Sequence, residues 1–170
     1  SKFPRLPYLS FSDDDGLTWS EPKNINDSCR NPSWGWYATG PGVGIQIKKG
    51  KFKGRLVIPS NHSYDDINGE IRNGPFNYGA HVLFSDNNGS SWEISDSIFP
   101  GCNESQIVEL ENGDLMMNMR SYNNQFSRAY SVSNDGGYSW SKIKHDYQLV
   151  ESKCQASILN YGMFNKKNMY

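Results

Sequence analysis

The sequence lacks the residue patterns that build common metal sites and disulfide frameworks. Its 170 residues include three cysteines, with no Cys-x-x-Cys pair and no histidine at metal-ligand spacing from a cysteine. Structural zinc sites and disulfide frameworks are recognised by such spacing. We therefore expect no metal and no cofactor. We interpret Cys29, Cys102 and Cys154 as buried free thiols, with a disulfide as the less favoured alternative.

An excess of charge of one sign and a long apolar run are also missing. Lysine and arginine number 17 against 18 for aspartate and glutamate, which leaves a net charge of -1. Such a chain has no basic surface for nucleic acid or an anionic membrane, so neither is expected as a partner. No apolar run approaches the roughly 20 residues of a membrane span, and no charged-then-apolar leader precedes Ser1.

The two ends of the sequence show no sign of a complete protein. The chain starts without methionine and closes with the polar run Asn165–Asn168 before its last two residues. We therefore expect an internal part of a longer protein, with residues 1–170 forming part of one domain. Sequons of the form Asn-x-Ser/Thr permit a secretory or lysosomal route, and we favour these locations over the cytoplasm; they lie at Asn26, Asn61, Asn88 and Asn103.

An internal repeat is the strongest positive signal. An octet that begins with serine and ends with tryptophan occurs three times, at Ser12–Trp19, Ser85–Trp92 and Ser133–Trp140. In each copy an aspartate or asparagine at the third position precedes a glycine by two residues. The side-chain oxygen can bond to backbone N–H groups and the glycine can adopt positive φ, so the octet predicts a tight turn rather than a ligand site. We expect the closing tryptophan to enter the core.

The rest of the chain predicts an all-β fold. No window sustains helical periodicity, and short strand-like segments alternate with turns. The spacing from Trp92 to Trp140 is close to the roughly 40–50 residues of a four-stranded propeller blade. We predict a β-propeller with about three to four blades present. The predicted strands cover residues 8–12, 44–47, 55–59, 79–84, 106–110, 114–120, 127–132 and 155–160.

A hairpin between the second and third octets contains the best candidate for chemistry. If its loop is Glu111–Gly113, Gln106 faces Asn118 and Glu104 faces Arg120 across the two strands. A two-residue Asn112–Gly113 loop would instead place Glu104 and Arg120 on opposite faces. We prefer the first register because it creates an apolar second face. By pattern alone, an ordinary surface ion pair is the simpler interpretation.

Several ordered segments resemble one family. The octet is similar to the Asp-box, S-x-D-x-G-x-T-W, of the sialidases (neuraminidases). Other propellers also carry Asp-boxes, but the glutamate and arginine segments in the same order make this resemblance specific. The segments that resemble the family are 36–46, 54–59, Asn61 with His62, 103–106, 118–120 and 154–157.

The resemblance implies a six-bladed propeller that removes terminal α-linked sialic acids from glycoproteins, glycolipids or oligosaccharides with retention. Sialidases use a tyrosine nucleophile. An anionic nucleophile would be repelled by the carboxylate on the substrate's anomeric carbon. The neutral phenol, with a pKa of about 10, needs a carboxylate to accept its proton. Glu104 matches that catalytic base, and Arg120 matches one of three arginines that bind the substrate carboxylate.

The sequence also departs from the family pattern. No segment supplies the first arginine. The residues of Phe3–Leu6 are similar to the F-R-I-P segment that contains this arginine in the family, but they lie too close to the first octet. The acid aspartate is also missing. The third arginine and the nucleophilic tyrosine belong downstream of this chain, and neither Tyr161 nor Tyr170 is assigned in their place. Arg128 and the histidines His62, His81 and His145 are interpreted as structural or surface residues.

Two functions follow from this sequence. The first is an exo-α-sialidase, a glycosidase of which this chain supplies part of the site, so that the chain alone would be inactive. The alternative is a non-catalytic Asp-box propeller that binds glycans or protein partners.

Overall fold

Strands form nearly all of the regular structure. The computed structural model describes residues 5–64, 77–164 and 167–169, and contains one four-residue helical turn, α1 (Asn26–Cys29). Among the described residues, no helix has the length and apolar character needed to cross a membrane. The strands are β1 (Tyr8–Leu9), β2 (Lys23–Asn24), β3 (Trp34–Thr39), β4 (Ile45–Gln46), β5 (Leu56–Tyr64), β6 (Tyr78–Ser85), β7 (Glu93–Ile94), β8 (Cys102–Glu109), β9 (Leu115–Ser121), β10 (Ser127–Ser133), β11 (Lys144–Val150), β12 (Gly162–Phe164) and β13 (Lys167–Met169).

Two antiparallel sheets form the body of the structure. One has the order β8, β9, β10, β11, so each strand pairs with its neighbour in sequence. In the other, β5 and β6 are central and β7 lies at one edge. Strands β3 and β4 pair with opposite ends of the same edge of β5, and together they act as one interrupted strand. Both sheets therefore have the four-stranded meander of a propeller blade, which confirms the all-β prediction.

Two short strand pairs complete the described structure. Strand β1 pairs with β2, and β12 pairs with β13. The predicted three to four blades thus correspond to two complete sheets and two two-stranded pieces. Phe3 and Pro4 of the segment Phe3–Leu6, and also Tyr170, lie outside the described residues.

The main core lies between the two large sheets. It joins Val82 of β6 to Ile107 of β8, and both are fully buried. The predicted apolar face of the β8–β9 hairpin lies in this core. All four of its side chains are 0% exposed: Ile107, Leu115, Met117 and Met119. Burial of these apolar side chains is the main force that holds the two sheets together.

The first octet forms the predicted turn. Asp14 Oδ1 accepts bonds from the Thr18 backbone N–H at 2.9 Å and from the Ser12 hydroxyl at 2.7 Å. Gly16 has φ of +87°, the left-handed region that a residue without Cβ enters at little cost. Hydrogen bonds from Thr18 lower the pKa of Asp14 to about 2. The carboxylate is therefore occupied within its own turn.

The other two octets repeat the same bonds. Asn87 Oδ1 accepts from the Ser91 N–H at 2.9 Å, and Asp135 Oδ1 accepts from the Ser139 N–H at 3.0 Å. Their glycines, Gly89 and Gly137, also have positive φ. The turn interpretation of the repeat is confirmed in all three copies.

The prediction that each octet tryptophan enters the core is wrong for Trp19. Trp92 is 6% exposed, and Trp140 packs on the main core, but Trp19 is 65% exposed. The first octet joins β1 and β2, which have only two residues each and offer no broad sheet face to cover. The Trp19 indole instead folds over its own turn and donates to the Gly16 carbonyl at 3.1 Å.

Arg55 links the second and third octets. Its guanidinium donates to both carboxylate oxygens of Asp86, at 2.8 and 2.6 Å, and to the Gly136 carbonyl at 2.8 Å. Its Cζ also lies within 4.6 Å of the ring centroids of three aromatic side chains, Phe52, Phe84 and Tyr138. This side chain is 2% exposed and ties the two blades together at their Asp-boxes.

Several local predictions were wrong. Residues 155–160 form no strand, because no described strand pairs with them; Ile158 and Leu159 line clefts beside β8 and β11 instead. Strand β11 was missed because it is mostly polar and exposed. The interpretation of all three cysteines as buried thiols holds for Cys29 and Cys102 but not for Cys154, which is free and exposed.

Candidate active site

The β8–β9 hairpin adopts the preferred register. Gln106 pairs with Asn118, and Val108 pairs with Met116. The loop closes with a bond from the Gly113 N–H to the Leu110 carbonyl at 3.0 Å, and Gly113 has φ of +87°. This left-handed glycine is the one that a three-residue loop requires. The prediction from the Glu111–Gly113 loop is therefore confirmed.

Glu104 and Arg120 meet at the end of this hairpin. A β-bulge interrupts β8 between Cys102 and Ser105, so the ladder does not pair Glu104 directly with a residue of β9. Bulges of this kind turn a side chain toward a new direction. Glu104 Oε2 accepts a bond from Arg120 Nη1 at 2.7 Å, and the two side chains are 30% and 26% exposed. The predicted contact forms, and it faces accessible space.

The guanidinium of Arg120 packs on an aromatic ring, and one of its buried N–H donors has no acceptor among the described residues. Its Cζ lies 4.9 Å from the centroid of the Tyr122 ring, and that ring lies 5.8 Å from the ring of Tyr78. Arg120 Nε is buried and has no hydrogen-bond partner among the described residues. Burial lowers the pKa of Arg120, but its hydrogen bond to Glu104 and the charges of neighbouring groups together outweigh burial and leave the pKa raised. A charged group with a free donor is suited to bind an anion.

The opposite wall of the site comes from the other large sheet. The Trp36 indole donates to Asn61 Oδ1 at 3.2 Å, and the Trp36 backbone N–H donates to Ser63 Oγ at 2.8 Å. These bonds fix Trp36 of β3 against β5. The guanidinium carbon of Arg5 lies 3.5 Å from the centroid of the Trp36 ring. The sequence did not predict a cation at this position, because the segment that contains Arg5 lies too close to the first octet to match the family's first arginine.

Both walls enclose one cleft of about 500 Å³. It combines two guanidinium groups, one carboxylate, two amides and three aromatic rings, a composition suited to a polar anionic ligand with apolar faces. The described residues contain no group of three or more His, Cys, Asp or Glu side chains placed to hold a metal ion. The cleft is lined by Arg5, Trp36, Ala38, Thr39, Pro41, Asn61, Tyr78, Asn103, Glu104, Arg120 and Tyr122.

His62 and His81 lie within the sheet and not in this cleft. Their Nδ1 atoms are 2.9 Å apart, and Ser97 Oγ lies 2.7 Å from His62 Nε2. The Trp34 ring stacks on His62 with centroids 3.8 Å apart. Burial lowers the pKa of His62 to about 3, and burial followed by the charge of His62 lowers the pKa of His81. Both imidazoles are therefore neutral near pH 7, which fits their interpretation as structural residues.

Arg128 lies outside this cleft, in agreement with its interpretation as a structural residue. It is 4% exposed and forms an ion pair with Glu151. It is not among the residues that line the cleft.

Comparison with known proteins identifies the family. The family model described as "BNR repeat-like domain" matches residues 5–165. The chain belongs to this BNR-repeat family of sialidases. A sialidase of Bacteroides fragilis is 34% identical over 153 residues, which cover 89% of this chain and 26% of that protein.

Solved structures of sialidases show the same fold. The Hadza microbial sialidase Hz136 superposes with a TM-score of 0.76 at 34% identity, covering 91% of this chain and 28% of that one. The intramolecular trans-sialidase from Ruminococcus gnavus, in complex with oseltamivir carboxylate, superposes with a TM-score of 0.77 at 26% identity, covering 95% and 31%. The partial β-propeller is thereby confirmed. The chain spans between a quarter and a third of the length of these three sialidases.

Proposed function

We propose that residues 1–170 form part of the propeller domain of an exo-α-sialidase, with Glu104 as a general base and Arg120 as a ligand for the substrate carboxylate. The observation that carries this proposal is the Arg120–Glu104 pair at 2.7 Å on the wall of the cleft. The substrates would be glycoproteins, glycolipids or oligosaccharides that end in α-linked sialic acid. The named activity of the sialidase relatives supports this substrate class.

Arg120 has the geometry to bind a carboxylate. A guanidinium offers five N–H donors in a planar fork, and Glu104 accepts from Nη1. The buried Nε donor has no partner among the described residues. The side chain is 26% exposed and lines the cleft, so a substrate carboxylate could be bound by its accessible N–H groups while Glu104 keeps the fork oriented. Lysine could not reproduce this arrangement, because its ammonium group is a single point donor.

Glu104 is placed to accept a proton within the cleft. Its carboxylate is half-buried and is already anchored on one side by Arg120. A phenol that attacks the anomeric carbon must lose its proton, and an adjacent carboxylate can receive it. Tyr78 and Tyr122 also line the cleft, but we assign neither as nucleophile. The Tyr122 ring lies beneath Arg120, and its hydroxyl accepts a bond from Asn103 Nδ2 at 3.5 Å.

A lysosomal or secreted location remains part of this proposal. Two of the four sequons are unsuitable for a glycan in the folded chain, because Asn61 and Asn103 are 1% and 7% exposed. Asn88 is exposed in the second octet turn and is the sequon best placed for modification.

The experiment measures hydrolysis of a fluorogenic sialic acid glycoside by the full-length gene product that carries this chain. Glu104→Gln should lower kcat by about 10²–10⁴-fold, the range for removal of a general base. Arg120→Lys should raise KM and lower kcat/KM by at least about tenfold, because bidentate binding is lost. Glu109→Gln is the matched control: its carboxylate lies on the same strand but binds the backbone N–H groups of Lys48 and Lys49 outside the cleft. It should retain activity.

Unchanged kcat/KM in both cleft variants would contradict the assigned roles. Absence of hydrolysis by the wild-type protein, together with Arg120-dependent binding of sialylated glycans, would instead support the non-catalytic propeller. The isolated 170-residue chain should be inactive. Turnover by that chain, abolished by Glu104→Gln, would disprove the proposal that residues outside it complete the site.

A further inference from the structure

We propose that the buried Arg128–Glu151 ion pair positions Arg120 for ligand binding, so that both residues are positioning residues of the cleft. This inference rests on the proposed function of Arg120. Arg128 belongs to β10, and Glu151 directly follows β11. Neither residue lines the cleft, so any effect on it must pass through the strand that carries Arg120.

The pair binds β9 on both sides of Arg120. Arg128 Nε donates to Asn118 Oδ1 at 2.7 Å, two residues before Arg120. Glu151 Oε1 accepts from the Ser121 backbone N–H at 2.7 Å, directly after Arg120. The two partners also bind each other, since Arg128 Nη1 donates to Glu151 Oε2 at 2.5 Å. Strand β9 is thus held at two points on either side of the two-residue segment that contains Arg120.

Burial makes this arrangement rigid. Both side chains are 5% exposed, so neither charge can leave its partner for water without disrupting the surrounding structure. Arg128 Nη1 also donates to the Cys154 carbonyl at 2.7 Å, which ties in the segment after β11. A binding group is most effective when packing and hydrogen bonds fix the element that carries it.

Glu151 also lies beneath the start of the strand that carries Glu104. Cys102 of β8 pairs with Ser121, the residue whose N–H binds Glu151. Burial, followed by the charge of Glu151, raises the pKa of Cys102 to about 12. The bulge that presents Glu104 begins at this Cys102 position. One buried carboxylate therefore supports the backbone on both sides of the Glu104–Arg120 contact.

The experiment compares three variants of the full-length protein. Glu151→Ala removes the acceptor for Ser121, Glu151→Gln keeps an oxygen there without the charge, and Arg55→Lys is the control. The Arg55 side chain is also buried and ion-paired, although its partner Asp86 is exposed, and it contacts the octet turns through Asp86 and Gly136. Thermal unfolding of each variant shows how far stability alone has changed.

The decisive measurement is the ratio of inhibition constants for free sialic acid and its methyl ester. Only the free acid presents the carboxylate that Arg120 would bind. Glu151→Ala should reduce the preference for the acid and lower kcat/KM by about 10- to 100-fold, the effect of a small displacement of a binding group. Glu151→Gln should restore part of the loss. Arg55→Lys should lower the melting temperature but leave the acid-to-ester ratio within about twofold, as uniform loss of stability does not change relative affinities.

A second measurement follows the NMR signal of the Arg120 Nε–H group, assigned with Arg120→Lys. It should shift or broaden in both Glu151 variants and stay unchanged in Arg55→Lys. If the wild type has no sialidase activity but this signal responds, the proposed function fails and the positioning role stands. If the wild type is active, and the Glu151 variants match Arg55→Lys in both the inhibition ratio and this signal, the positioning role is overturned.

Discussion

Two arginine–carboxylate ion pairs in this chain have nearly equal N–O distances but different surroundings. Arg55 and Asp86 approach to 2.6 Å, and Arg120 and Glu104 approach to 2.7 Å. Each of the three guanidinium nitrogens of Arg55 has an acceptor, and three aromatic rings surround the group. Arg120 rests on one ring, faces a cleft and has a buried Nε with no partner among the described residues.

The two pairs differ in how many guanidinium nitrogens have an acceptor and in whether the group faces a cleft. A buried arginine whose three nitrogens all donate to protein acceptors can hold two elements together but has little donor capacity left for a ligand. An arginine with an unused donor at a cleft keeps part of its binding capacity for something else. Distance and residue type alone do not distinguish the two pairs.

Among the substitutions, the largest stability effect should come from breaking the saturated pair. Asp86→Ala leaves the charge of Arg55 buried without its carboxylate and should lower the free energy of unfolding by about 3 kcal/mol. This figure lies at the low end for buried pairs because the Asp86 side chain is 55% exposed. Chemical denaturation of the variant checks it. A loss below about 1 kcal/mol would mean that Arg55 does not link the octets as described.

Acid should destabilise the sheet that forms the Trp36 wall. The folded-state pKa of His62 is lowered to about 3 and that of His81 is also lowered, so the unfolded chain takes up their protons first. Stability should be constant above about pH 6.5 and fall below it, by up to about 1.4 kcal/mol per pH unit for each histidine. Denaturation between pH 7 and pH 4 measures this slope. His81→Gln should flatten it, and an unchanged slope would exclude the pair as its source.

Breaking the unsaturated pair should cost little stability. Glu104→Gln should change the free energy of unfolding by less than about 1 kcal/mol, because both partners are about one-quarter to one-third exposed and water replaces the bond. Denaturation under the conditions used for Asp86→Ala gives the direct comparison. A loss equal to that of Asp86→Ala would place the Arg120–Glu104 pair among the structural contacts.

The smallest effect should come from the first octet. Trp19→Phe should change stability by no more than about 0.5 kcal/mol, since the indole is 65% exposed and donates only within its own turn among the described residues. Trp92→Phe, at the equivalent but buried position of the second octet, is the internal control and should cost more. Equal losses at the two sites would mean that Trp19 contributes to a core after all.

Local chemistry explains which parts of this structure the sequence could predict. The octet turns depend on side chains and glycines that lie within a few residues of each other, such as Asp14, Gly16 and Thr18. The hairpin register depends on Gly113 and on the alternation of apolar residues along β9. Both could be predicted because the interacting groups are close in sequence.

Other features depend on contacts between distant segments. The cleft joins Trp36 to Arg120, which belong to different sheets. Strand β11 is polar, and it is a strand because β10 offers it a partner edge. Trp19 is exposed for a similar reason, because the sheet of β1 and β2 is too small to cover its indole. No local pattern could reveal these outcomes.

The sequence by itself determined the repeated turn, the all-β class and the register of the hairpin. These follow from the period of side chains along a strand and from the backbone freedom of glycine. Only the tertiary structure decided that Arg55 is saturated while Arg120 is not, that Arg5 and Trp36 face the hairpin, and that Arg128 and Glu151 bracket Arg120. These depend on which acceptors and which solvent each guanidinium meets after the sheets pack, and packing joins residues that the sequence keeps far apart.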